Sequence, residues 1–165
     1  MIRRKNNSVI LLLIFIVFII SCSQEKVTKI KISNKDIRSN RTAEDLVASK
    51  KTSEMTYKQL MNILNSGSVM VHQGILIENK QLVIEGANMI LNHAAPIEKP
   101  WFIMNKPDQE NFKNSLLTYD VVLDNYAKKL EEEARHKDWL KASKTAHELM
   151  NSCIVCHSMW KHKVK

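Results

Sequence analysis

From Glu54 onward the apolar residues recur every three or four positions, the spacing that lines one side of an α-helix. The first such segment runs from about Glu54 to Ile77, with Tyr57, Met61, Leu64, Ser68, Val71 and Ile75 in register. A second, about Lys80 to His93, carries Val83, Ala87, Ile90 and Leu91 on one side. All three prolines (Pro96, Pro100 and Pro107) fall in the next stretch, Ala94–Asp108, which is therefore expected to be a loop. A third helix is expected over about Gln109 to Arg135, where Phe112, Leu116, Tyr119, Leu123, Tyr126 and Leu130 alternate by four and three. The fourth, about Asp138 to His162, opens on a capping aspartate and places Ala146, Leu149, Met150, Cys153, Cys156, His157 and Trp160 on its apolar side.

Four amphipathic helices joined by two short links and one longer connector predict an all-α domain over 54–165. An antiparallel four-helix bundle is the expected arrangement. Three glycines and three prolines are too few for a fold built on tight turns, which argues against a sandwich or barrel. Gly67 and Gly74 lie inside the first helix, where each costs about 1 kcal/mol relative to Ala. They let something bulky approach the helix, or they are merely tolerated, or the helix breaks near Ser66-Gly67-Ser68.

The pattern upstream is different. A basic head, Met1 to Ser8, precedes an unbroken apolar run from Val9 to Ile20. Twelve helical residues rise only ~18 Å, short of a ~30 Å hydrocarbon core, so a signal peptide over 1–21 fits better than a permanent span. The run ends in Ile19-Ile20-Ser21-Cys22, which resembles the lipobox of bacterial lipoprotein signal peptides. That resemblance implies cleavage before Cys22, acylation of its thiol and export to the periplasmic face of a membrane. From there to Ser53 the chain is polar and free of aromatic residues, Gly and Pro, so 22–53 is expected to be the lipidated Cys and a flexible tether with a reach of about 30 Å. A short helix over Thr42–Ala48, capped by Thr42, fits within it.

Composition adds one caution. The net charge of +8 suggests nucleic acid, but three of those charges lie in the leader, four in the tether and one in the helical domain. A nucleic-acid partner is not expected; the tether's excess suits an anionic leaflet or plain solvation.

Cys153-Ile-Val-Cys156-His157 is the chemistry-bearing motif. On a helix, positions i, i+3 and i+4 share one side. Two thiols so placed can each add to a vinyl group of one haem while the imidazole reaches its iron, and the pattern is that of c-type haem attachment. With Cys22 assigned to lipid, no cysteine remains for a disulfide framework. A thioredoxin-like pair would want a βαβ setting. Zinc held by Cys153, Cys156, His157 and His162 would need ligands on one helix to enclose a tetrahedral ion.

With this motif on its last helix, the domain resembles the class II cytochromes c, the cytochrome c′ type of four-helix haem protein. Lys58-Gln59 at the start of the first helix, and Asn79-Lys80-Gln81 leading to Ala87-Asn88 in the second, agree less specifically. The resemblance implies one covalently bound haem c, attached through Cys153 and Cys156 with His157 as proximal ligand. Where that family has an aromatic residue and then Arg, this chain has Trp160 and Lys161, so Lys161 would meet a haem propionate as a point charge only.

In one branch of the family a Met on the first helix is the second axial ligand; in the other an apolar residue leaves that position open. Met61 is the candidate here, two residues after Gln59. Met70 is out of phase, and His72 offers a bis-His alternative. His93, His136, His147 and His162 are expected to be peripheral.

The leading expectation is electron transfer with redox protein partners of the envelope, on a protein held to the membrane by its lipid. The alternative is a high-spin protein binding NO or CO at an open distal site. A peroxidase needs a distal base and a cation, and the domain's one arginine, Arg135, ends the third helix, so no enzyme is expected. A haem-free envelope lipoprotein is the remaining class, and a homodimer stays open.

Overall fold

A computed structural model describes residues 41–165. The leader, Cys22 and the tether up to residue 40 lie outside the described residues. The described part is mostly helical, with five α-helices: α1 (Ala43–Ala48), α2 (Tyr57–Leu76), α3 (Lys80–Leu91), α4 (Gln109–Arg135) and α5 (Trp139–Trp160). Two-residue strands β1 (Thr52–Ser53) and β2 (Ala95–Pro96) pair in parallel. The connector from β2 to α4 holds two 3₁₀ turns, Pro100–Ile103 and Lys106–Asp108, and no helix among the described residues is long and apolar enough to cross a membrane.

Local chemistry sets the helix limits. Thr56 accepts from the Gln59 amide while the Gln59 side chain accepts from the Thr56 amide, a reciprocal capping box that starts α2. The links α2–α3 and α4–α5 are built alike. Glu78 and Lys137 each take a left-handed backbone, φ 53° and 57°. The following amides, of Asn79 and Asp138, reach back to the carbonyls of Gly74 and Glu133 at 2.7 and 2.9 Å. Orphan carbonyls at the helix ends are thus satisfied. Asn79 and Asp138 then cap the next helix through their side chains.

Helix α2 packs on α3, α3 on α4, α4 on α5, and α5 back on α2. Val71, Val83, Ala87, Ile90, Ala127, Leu130, Ala146 and Leu149 form the main core. The three glycines sit where α2 meets α3. A Cβ on Gly67 would lie 2.8 Å from the Gly86 carbonyl oxygen, and one on Gly86 would lie 2.5 Å from that of Gly67. A Cβ on Gly74 would meet Val83, so the two helices run in opposite directions with backbones in near contact. Helix α2 passes through Gly67 unbroken, and what approaches it there is the backbone of the next helix.

Within the polar stretch expected to be tether, the chain is structured from Thr42 on, and the short helix that fitted there is present with Thr42 as its cap. Thr42 and Asp45 form a capping box, and Ala43 and Leu46, one turn apart, are 2% and 6% exposed. Lys113 on α4 binds Glu44 at 2.8 Å and Glu110 at 2.7 Å. So short a helix is unstable alone and holds because a ready-made apolar surface receives it. β1 then pairs with β2, and Lys50 places its ammonium 3.0 Å from Asp120 and 3.2 Å from His93 Nε2.

A second core lies under α1. Ala43, Trp101, Met104, Phe112 and Trp160 form it, with Tyr57, Leu116, Leu117 and Cys156 packed at its edge. Phe112 takes Tyr57 and Trp160 edge-on, at ring-centre distances of 6.1 and 5.3 Å.

Candidate functional site

Cys153, Cys156 and His157 stand in the last two turns of α5, a helix that runs unbroken to Trp160. Their spacing puts all three on neighbouring lines of one helix side. The two thiols straddle the seam of the molecule: Cys153 packs against the main core and Cys156 against the aromatic one. Both are free and half-buried, while His157 is exposed. Burial pushes both thiols up, Cys156 to about 11 with a further push from Cys153, so at neutral pH both carry their protons. A reactive dithiol pair is tuned the other way, toward thiolate.

The surroundings are apolar and only partly covered. Burial pushes up the phenols of Tyr57 on α2 and Tyr119 on α4, and both lie near enough to Cys156 that a charge on its sulfur would push them further. Met61 follows Tyr57 by one helical turn and is half-buried. On α4 every residue from Ser115 to Val121 is half-buried, Leu116, Leu117 and Tyr119 among them. Wide apolar side chains held half-open beside two thiols and an imidazole fit a broad, flat apolar group better than a single ion. Among the described residues, no three His, Cys, Asp or Glu side chains converge on a point that could hold a metal ion.

One polar atom here is unsatisfied. Trp160 is 9% exposed, and its indole N–H has no hydrogen-bond partner among the described residues. An orphaned buried donor costs about 1–3 kcal/mol, so the site as it stands offers a hydrogen bond to an incoming acceptor.

The other residues named from the sequence are placed as follows. Met70 faces α3, its Cβ 3.0 Å from where a Cβ on Gly86 would be. The His72 Nδ1–H donates to the carbonyl of Ser68 on its own helix at 2.8 Å. Both ring nitrogens of His93 are engaged: Nδ1–H donates to the Ala94 carbonyl and Nε2 accepts from Lys50. His136, His147, His162 and Arg135 are exposed. Lys161 is also exposed, its amide closing α5 on the His157 carbonyl.

Two features escaped the pattern of the sequence. The aromatic plug depends on Trp101 and Met104, which arrive from the proline-rich connector and belong to no helical stripe. The Trp-Phe pair after Pro100 was its only local signal. The Lys50–His93–Asp120 cluster joins residues far apart in the chain and had none.

Comparison of the chain with protein-family models, with curated proteins and with solved structures finds no match.

Proposed function

We propose that the protein is a membrane-tethered monohaem c-type cytochrome that transfers electrons in the cell envelope, its helices α2 to α5 forming an antiparallel four-helix bundle. The observation that carries this reading is the placement of Cys153, Cys156 and His157 on one side of α5, Cys153 packed on the main core, Cys156 on the aromatic core and His157 exposed beside them. Cys153 and Cys156 would hold the haem through two thioethers, and His157 and Met61 would be the side chains that ligate its iron. Bound there, haem supplies one-electron exchange between ferrous and ferric iron.

The chain's own residues do the rest. Tyr57, Leu116 and Tyr119 keep water from the thiol side of α5, which holds the local dielectric low and favours the less charged iron state. The rigid α2–α3 pair fixes Met61 on α2 relative to its neighbours. Lipid on Cys22 confines the domain beside membrane-bound redox partners and raises its effective concentration.

The test is the full chain made in a host that attaches haem c. A coloured protein whose haem survives denaturing extraction is expected, and Cys153→Ala with Cys156→Ala should abolish the colour while circular dichroism remains helical. A colourless wild-type protein would overturn the proposal. Carbon monoxide then separates the two functions within the cytochrome reading. An unchanged ferrous spectrum supports Met61 and electron transfer; rapid conversion to a carbonyl form assigns the protein to NO or CO binding.

A further inference from the structure

We propose that the Trp160 indole N–H is the hydrogen-bond donor to a haem carboxylate, and so a residue that orients the group in its site. The inference rests on the haem reading above and deepens it. Trp160 follows His157 by three residues and Cys156 by four, so its ring stands on the same side of α5 as both. Phe112 packs edge-on against the ring, their centres 5.3 Å apart. That N–H is the one buried polar atom of the aromatic core left without a partner among the described residues. Natural cores leave few such atoms without a partner, be it protein, water or ligand.

The local charge selects the acceptor. From Leu149 to the end at Lys165 the chain contains no acidic residue, and it contains Lys161, Lys163 and Lys165. Lys163 stands with its ammonium 5.1 Å from the Trp160 ring centre, held there by Asp108 at 2.8 Å. A charged acceptor makes the stronger hydrogen bond with such a donor than a neutral carbonyl does. A group fixed by Cys153, Cys156 and His157 offers two carboxylates and no other anion. Lys161, on the exposed side of the helix end, adds a mobile point charge, whereas the directional bond comes from Trp160.

The experiment uses the full chain with haem attached, labelled with ¹⁵N at its three tryptophans, Trp101, Trp139 and Trp160. Trp160→Phe keeps a ring in the core and removes the donor; the cross-peak it deletes belongs to Trp160. If that variant fails to fold, Trp101→Phe and Trp139→Phe assign the same peak by elimination. The Trp160 N–H is expected to exchange with solvent at least tenfold more slowly in the haem-loaded protein than in the Cys153→Ala, Cys156→Ala chain. The propionate bending band in the resonance Raman spectrum should shift in Trp160→Phe while both thioethers persist. A coloured wild-type protein whose Trp160 proton exchanges as fast as in the haem-free chain, or a Raman band unmoved by Trp160→Phe, overturns this assignment and leaves the cytochrome reading intact. A colourless wild type overturns both.

Discussion

The α2–α3 pair and the α5 end of the molecule are closed by opposite means. Between α2 and α3 the seal is made by absence: Gly67, Gly74 and Gly86 remove side chains so that backbones meet, and Val71, Val83 and Ala87 are almost completely buried. At the α5 end the seal is made by bulk. Phe112, Trp101 and Trp160 plug the space, and at its edge Tyr57, Leu116, Leu117 and Cys156 stay half-open. One region has nothing left to receive. The other carries half-exposed apolar area and a hydrogen-bond donor without a partner among the described residues, so of the two it is the region with room for a ligand.

The strongest way to break this contrast is at the plug. Phe112 is 2% exposed and touches aromatic rings from two other helices. Phe112→Ala should cost about 3–5 kcal/mol in urea unfolding of the haem-free chain. A loss under ~1 kcal/mol would mean that the aromatic core collapses easily and does not hold the site open.

Gly86→Ala probes the other seal. Alanine gains about 1 kcal/mol of helix propensity, but its Cβ would press on the Gly67 carbonyl oxygen at 2.5 Å. Backbone cannot swing aside as a side chain can, so the clash wins and the expected result is a net loss of about 1–3 kcal/mol. A stabilised variant would show that the helices separate without cost and that the seal is loose.

The same contrast divides what could be read from the chain. The periodic helices were legible almost to the residue: Gln109–Arg135 was expected and is found, because its apolar stripe is set by neighbours three and four apart. The motif was legible too, since Cys153, Cys156 and His157 need only one helix to share a side. What depends on distant partners was hidden. The glycines were visible as a cost, but their reason is another backbone brought up by a turn at Glu78. Ala43 and Leu46 lie in a stretch that reads as polar tether, and the surface that receives Ala43 is made by Trp101, Phe112 and their neighbours, more than fifty residues away.

Leu46 suggests a milder test. Thr42→Ala removes one half of the capping box that starts α1, a change worth about 1 kcal/mol. Because α1 survives only by docking, the loss should appear as faster amide exchange over Ala43–Ala48 with little change in α2–α3. Uniform acceleration across the protein would instead make α1 part of the cooperative core.

The smallest expected effect is a pH slope at the joint that holds this N-terminal segment. His93 is held below its ordinary range by burial first and by the Lys50 ammonium second, opposed by its bond to Ala94 and by Asp120 and Asp124. Below about pH 6.5 the unfolded chain therefore takes up a proton that the folded one resists. The stabilisation is complete above that pH and is lost as pH falls through the folded value. Asp124 works the other way, since burial and then Asp120 raise its carboxyl and acid relieves it. Subtraction of the His93→Gln profile from the wild-type profile removes that share. Between pH 7.5 and 5.5 the unfolding midpoint of the wild type should fall more than that of His93→Gln. Parallel profiles would mean that His93 opens freely to solvent and that Asp120 alone holds Lys50, which would make the joint between tether and helices looser than either core.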